Sequence, residues 1–219
     1  MQQASLSLEH IIKQPKGQVE KAPVLFMLHG YGSNEEDLFS FAPELSDDFF
    51  IISVRAPYPM QPSGNAWYAI YWDAPDEKFG DQEQARSSRD LIAKFIDEAI
   101  NAYPIDKNKV NLLGFSQGSI LSYAVALSYP QKVKNIIAFS GYIDPEILVE
   151  NYTDNNFDHL DFYCSHGSVD QVIPIEWARK NKPFLDKLNI KNTYSEFPVG
   201  HGVAHQNFFE AKKWIENKL

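Results

Sequence analysis

The sequence has a single cysteine, Cys164, which rules out an internal disulfide and a multi-thiolate zinc site. Basic residues are few: 20 Lys and Arg stand against 29 Asp and Glu, a formal charge of −9 at pH 7. No basic face is left for a nucleic acid or an anionic membrane, and no nucleic-acid partner is expected. Met1-Gln2-Gln3-Ala4-Ser5 has no basic segment leading into an apolar core, so no secretory signal is expected. No apolar run approaches the roughly 20 residues that span a bilayer, and stable membrane insertion is not expected. Internal repeats, low-complexity tracts and linker-like shifts of composition are also missing. What is there, 44% hydrophobic and 22% charged over 219 residues, argues against disorder and fits one cytoplasmic domain over 1–219.

Apolar runs of strand length alternate with stretches of helical period. Val24–Leu28, Phe49–Val54, Val110–Gly114, Ile136–Phe139, Leu160–Cys164 and Thr193–Phe197 read as strands, most of them continuous apolar runs. Ser33 and Glu36 have capping-box spacing ahead of a helical stripe of Leu38, Phe41 and Leu45. Further helices are expected from about Gln82 to Tyr103, through Ile120, Leu121, Val125 and Leu127 to Pro130, over Ile175–Leu188 and over Gln206–Lys218. Pro57 to Asp73 reads as an irregular, aromatic-rich loop. Strands and helices in alternation predict an α/β fold with a mostly parallel sheet covered on both faces. In such sheets the chemistry lies beyond the carboxyl ends of the strands.

Gly114-Phe115-Ser116-Gln117-Gly118 stands between a predicted strand and a predicted helix. In that context G-x-S-x-G describes a sharp turn that exposes a serine nucleophile, with glycines relieving the clashes around it. A serine needs a base, and His201 lies in Gly200-His201-Gly202 between the last strand and the last helix. A zinc site from His201 and His205 is disfavoured, because Gly202 stands where a zinc-protease helix needs Glu. The base needs a carboxylate, and Asp170 follows the Leu160–Cys164 strand; Asp154, Asp158 and Asp161 lie at or before that strand's start. The loop His29-Gly30-Tyr31-Gly32-Ser33 completes the set, with Tyr31 N–H and Gln117 N–H assigned as the oxyanion donors and His29 expected to hydrogen-bond within the loop. A phosphate loop is not supported, since neither G-x-G-x-x-G nor a P-loop lysine is present. The candidate acyl-pocket wall comprises Trp67, Tyr68, Tyr71, Trp72 and Phe79, with Ile173 and Val203 from the acid and base loops. The alternative is that these aromatics merely cover the sheet edge.

The four motifs His29-Gly30-Tyr31-Gly32, Gly114–Gly118, His166-Gly167…Asp170…Pro174 and Gly200-His201-Gly202 resemble, in that order, the phospholipase/carboxylesterase family of small α/β-hydrolases. Trp67-Tyr68 resembles an aromatic pair in the loop bordering that family's pocket. The resemblance implies an α/β-hydrolase fold, Ser116 as nucleophile and Asp170 and His201 as its partners; because the core elements use almost all of Val24 to Leu219, no large cap domain is expected. The resemblance also implies the Tyr31 and Gln117 amides as oxyanion donors. Ser119 departs from the glycine many members carry there, and Ala69 from a common acidic residue, which leaves the substrate open.

The expected function is a serine carboxylesterase acting on small or medium acyl esters through an acyl-enzyme, with no cofactor and no metal. An acyl-protein thioesterase or lysophospholipase-type hydrolase is the alternative within enzymes, and a catalytically silent hydrolase-fold binding protein the alternative outside them. A homodimer is left open.

Overall fold

Residues 3–17, 19–71 and 80–219 are described by the computed structural model. Among them the strands are β1 (His10–Lys13), β2 (Ala22–Leu28), β3 (Phe50–Val54), β4 (Tyr58–Pro59), β5 (Asn65–Ala66), β6 (Ile105–Phe115), β7 (Asn135–Phe139), β8 (Asp161–Gly167) and β9 (Lys191–Phe197). The helices are α1 (Glu35–Phe39), α2 (Gln82–Ala102), α3 (Gln117–Ser128), α4 (Ile175–Ala178), α5 (Asn181–Lys187) and α6 (His205–Glu216). Seven strands form one sheet in the order β1-β3-β2-β6-β7-β8-β9, parallel throughout except for β1 against β3. β4 and β5 make a separate two-stranded hairpin.

The strands are apolar on both faces because both faces are covered. Val24, Phe26 and Leu28 of β2 point into a core shared with Phe95 and Ile96 of α2, Leu121 and Val125 of α3 and Leu185 of α5. Their neighbours Leu25 and Met27 point the other way, toward Leu38 of α1 and Phe208, Ala211 and Ile215 of α6. α3 is buried on every side, as the helix that runs beneath the centre of the sheet. Among the described residues no helical domain is inserted between strands.

Several elements differ from their sequence reading. The edge strand β1 and the β4–β5 hairpin were not expected, being only four and two residues long. Asn34, not Ser33, caps α1: its side chain accepts the Glu36 N–H at 2.8 Å, while Ser33 Oγ donates to Asp37. The stripe from Leu38 to Leu45 is not one helix, because α1 ends at Phe39 and a 3₁₀ turn containing Pro43 follows. The single helix expected over Ile175–Leu188 is two, α4 and α5. Pro183 has no N–H to give residue 179 and sits in the first turn of α5, where none is needed. β8 runs on to Gly167, so His166 and Gly167 pair with Glu196 and Phe197 rather than lying in a loop.

Candidate active site

Parallel register brings the motifs to one edge. Leu28 lies opposite Gly114, Phe115 opposite Phe139 and Gly167 opposite Phe197, so the loops that follow β2, β6, β8 and β9 open on the same side. Ser116 sits between β6 and α3 with φ +52°, in the left-handed region that a non-glycine residue occupies only when its surroundings hold it there. Its N–H donates to the Phe139 carbonyl at 2.9 Å, and its carbonyl starts α3 by accepting from Ser119 and Ile120. The flanking glycines are sterically required. A Cβ on Gly114 would lie 2.4 Å from the Gly118 carbonyl oxygen, and one on Gly118 would lie 2.0 Å from that of Leu28.

His201 Nε2 is 2.9 Å from Ser116 Oγ, and His201 Nδ1 is 2.7 Å from Asp170 Oδ2. Oδ1 of Asp170 accepts from the N–H groups of Val172 and Ile173 at 2.8 and 3.0 Å. The Asp170 side chain has no exposure, whereas that of His201 keeps 18%, so the pair is open to a reactant only at the serine end. Burial pulls the Asp170 carboxyl upward, but the hydrogen bonds from His201, Ile173 and Val172 outweigh it and hold the group below the usual carboxylate range. It is therefore an anion at neutral pH, aimed at Nδ1. A hydroxyl, an imidazole and a carboxylate in this line can pass the hydroxyl proton to the imidazole while the carboxylate compensates the charge. Of the other aspartates, Asp161 begins β8 and is paired with Lys218 at 2.6 Å and Lys191 at 3.0 Å, and Asp154 lies in a 3₁₀ turn. His205 opens α6 and packs against Phe209.

His29 bonds within its own loop as expected, and further hydrogen bonds that sequence reading did not find tie that loop down. The Ala56 N–H donates to His29 Nε2 at 3.0 Å, so the ring proton is on Nδ1, which donates to the Gly30 carbonyl at 2.7 Å. Burial pushes this imidazole below its ordinary value, over the opposing pull of the Gly30 bond, and keeps it neutral. Trp67 Nε1–H donates to the His29 carbonyl at 2.9 Å. The Gln117 side chain accepts from Trp67 N–H at 2.8 Å and donates to the Tyr68 carbonyl at 2.7 Å, clamping the aromatic loop onto the start of α3. Neither Tyr31 N–H nor Gln117 N–H is used by the turn and loop hydrogen bonds among the described residues.

The predicted pocket wall is largely corrected. Trp67 is fully buried, packed on His29 and spent on the loop hydrogen bonds, so it is core and not wall. Tyr71 is 53% exposed and donates to Asp81. Ile173 is buried in the core through the acid loop, and Val203 packs on the α1–α6 side. Trp72 and Phe79 lie outside the described residues. Of the described members of the set, only Tyr68 lines a cavity of about 370 Å³, with Tyr142, Ile143, Trp177, Lys180 and Phe184 among its other walls. Ser116, Asp170 and His201 are not among its walls; its link to the serine turn is Tyr142, which follows Gly141, whose added Cβ would be 3.2 Å from the Ser116 carbonyl oxygen. Tyr142 and Trp177 meet edge to face, with ring centroids 5.1 Å apart. Those two come from the turn after β7 and from α4. The Gly141-Tyr142 step after a predicted strand was the one signal that could have pointed to them.

A family model described as phospholipase/carboxylesterase matches residues 9–219. The chain belongs to the phospholipase/carboxylesterase family. It is accordingly an enzyme, a hydrolase of carboxylic esters of the serine type. Acyl-protein thioesterase 1 of Kluyveromyces lactis is 29% identical over 85% of this chain and 86% of its own length. The protein of the same name from Candida albicans is 28% identical over 97% and 98%. Among solved structures, the Bacillus cereus carboxylesterase shares the fold at a TM-score of 0.84 and 20% identity, over 97% of this chain and 95% of its own. No helix among the described residues is long and apolar enough to cross a membrane.

Proposed function

We propose that this family member is a serine carboxylesterase in which Ser116 is the nucleophile, His201 the general base and acid, and Asp170 the carboxylate that orients and charges His201. The observation that carries this reading is the 2.9 Å approach of His201 Nε2 to the oxygen of a serine held at positive φ, with Asp170 2.7 Å behind. With Nδ1–H given to Asp170, Nε2 is free to take the Ser116 proton as Oγ bonds to the substrate carbonyl carbon. The oxygen that becomes negative is received by Tyr31 N–H and Gln117 N–H, beside the positive end of the α3 dipole. Collapse breaks the bond to the leaving alcohol, which takes the proton from His201 and departs, leaving the acyl group on Oγ. Water then gives a proton to Nε2, attacks the acyl carbon and releases the carboxylic acid. Ser116 leaves with its proton restored.

The acyl group is assigned to the cavity beside Tyr68, Tyr142 and Trp177, whose aromatic walls suit an apolar chain. A second reading, thioester hydrolysis, is favoured by the thioesterase relatives at 28–29% identity; a thiolate leaves by the same route without His201 assistance being essential. A rate panel of aryl esters and acyl thioesters, from acetyl to palmitoyl, separates the two. The esterase reading expects the highest kcat/KM on short and medium esters; a thioester preference of tenfold or so at every length selects the second.

A further inference from the structure

His166 is a fully buried titratable side chain that the chemistry above leaves unused. It is the penultimate residue of β8, opposite Glu196 of β9, and four residues before Asp170. Its Nε2 is 2.9 Å from the Ile173 carbonyl oxygen and 3.3 Å from Asp170 Oδ2. A carbonyl only accepts, so Nε2 carries the proton, and that N–H also faces the carboxylate oxygen that receives His201 Nδ1. Ile173 joins the arrangement from both ends, its N–H on Asp170 Oδ1 and its carbonyl on His166. His166 Nδ1 has no partner among the described residues. An apolar side chain of similar size would fill this space without burying a lone ring nitrogen. What the imidazole adds is the Nε2–H donor.

We propose that His166 is a positioning residue: it holds the Asp170–Ile173 turn and the Oδ2 edge of the carboxylate so that His201 stays aligned with Ser116. The inference rests on the triad reading, because it acts through Asp170. A misplacement of even about 1 Å at such a relay lowers turnover by up to roughly a hundredfold.

His166→Leu removes the donor, and His166→Gln keeps an amide N–H near the Nε2 position. Turnover of a short aryl ester is measured per active site, with sites counted by fluorophosphonate titration so that unfolded protein does not enter. His166→Leu is expected to lower kcat roughly 10- to 100-fold with KM nearly unchanged, and His166→Gln to recover most of the loss. Asp161→Asn, at the other end of β8, loses the Lys191 and Lys218 pairs and serves as the destabilised control, with kcat per site unchanged. If His166→Leu yields no folded protein, His166→Asn, whose shorter amide does not reach Asp170, replaces it with the same expectation. Wild-type kcat per site in the donor-less variant, or His166→Gln no better than it, overturns the positioning role. His201→Ala runs beside them: activity there removes the triad reading itself, whereas a dead His201→Ala with a normal His166→Leu removes only this inference.

Discussion

At φ +52° and ψ −118° Ser116 occupies backbone that costs an L-residue about 1–3 kcal/mol, and it is held there by the Phe139 and Ile120 hydrogen bonds on either side. The strain has a chemical use, since the turn lifts Oγ toward His201. Ser116→Ala and His201→Ala are each expected to lower kcat on a short aryl ester on the order of a thousandfold or more, and Asp170→Asn severely, while Asp154→Asn turns over as wild type. Steady-state kinetics on the four variants checks this; an Asp154 variant worse than that of Asp170 would show that the acid is misassigned. Stability separates strain from chemistry. Ser116→Gly, which tolerates positive φ, is expected to unfold about 1 kcal/mol later than Ser116→Ala in urea, although both are inactive. The residue types of the relay were legible in the sequence because each follows a strand end. The roles of His166 and of the Gln117 side chain were not, since they depend on how two loops fold back on those residues.

Strand, turn and helix meet at Gly114 and Gly118 more closely than any side chain allows. Gly118→Ala would force a Cβ against the Leu28 carbonyl and is expected to cost at least about 1–3 kcal/mol, whereas Gly17→Ala, with open space around it, stays within about 0.5 kcal/mol. Chemical denaturation of both variants tests this directly. Trp67→Phe leaves the His29 carbonyl without its indole donor inside the core; a loss of about 1–3 kcal/mol is expected, with kcat reduced as the first loop loosens. Wild-type stability in that variant would return Trp67 to the pocket wall. The buried strands were readable as apolar runs, and the long surface-facing helix α2 as a stretch of helical period from about Gln82 to Tyr103, to which the structure adds the Asp81 cap. β1 and the β4–β5 hairpin were not, because a period-two pattern needs more residues than they have. Pro183 marks the break between α4 and α5, although Trp177, Phe184 and Leu188 continue an apolar stripe across it.

Across the whole molecule, ionisation sets the acid limit. Asp170 is held below the usual carboxylate range as described, and Glu35 likewise, first by its hydrogen bonds to Arg55 and against the pull of burial. A carboxyl whose folded pKa is lowered contributes stability that is complete above its unfolded value, about 4, and is lost as pH falls through the folded value. The urea midpoint is expected to start falling below about pH 6.5, because His10 and His29, held neutral by burial, take up protons on unfolding, and to fall further below about pH 4, less steeply there in Glu35→Gln. Burial pushes the Cys164 thiol up to about 12, so the folded enzyme is expected to keep its activity after iodoacetamide. The composition, the sheet and the order of Ser116, Asp170 and His201 could be read in advance. The cavity could not, because Tyr68, Tyr142, Trp177 and Phe184 are far apart in the chain and only the topology assembles them.

The central claim is that Ser116 is the acylated residue. Intact-mass and peptide mass spectrometry after reaction with a fluorophosphonate tests it most directly. One adduct per chain is predicted, on the peptide carrying Ser116, absent from Ser116→Ala and strongly slowed in His201→Ala. An adduct on another residue, or folded wild-type protein that does not react, would contradict it.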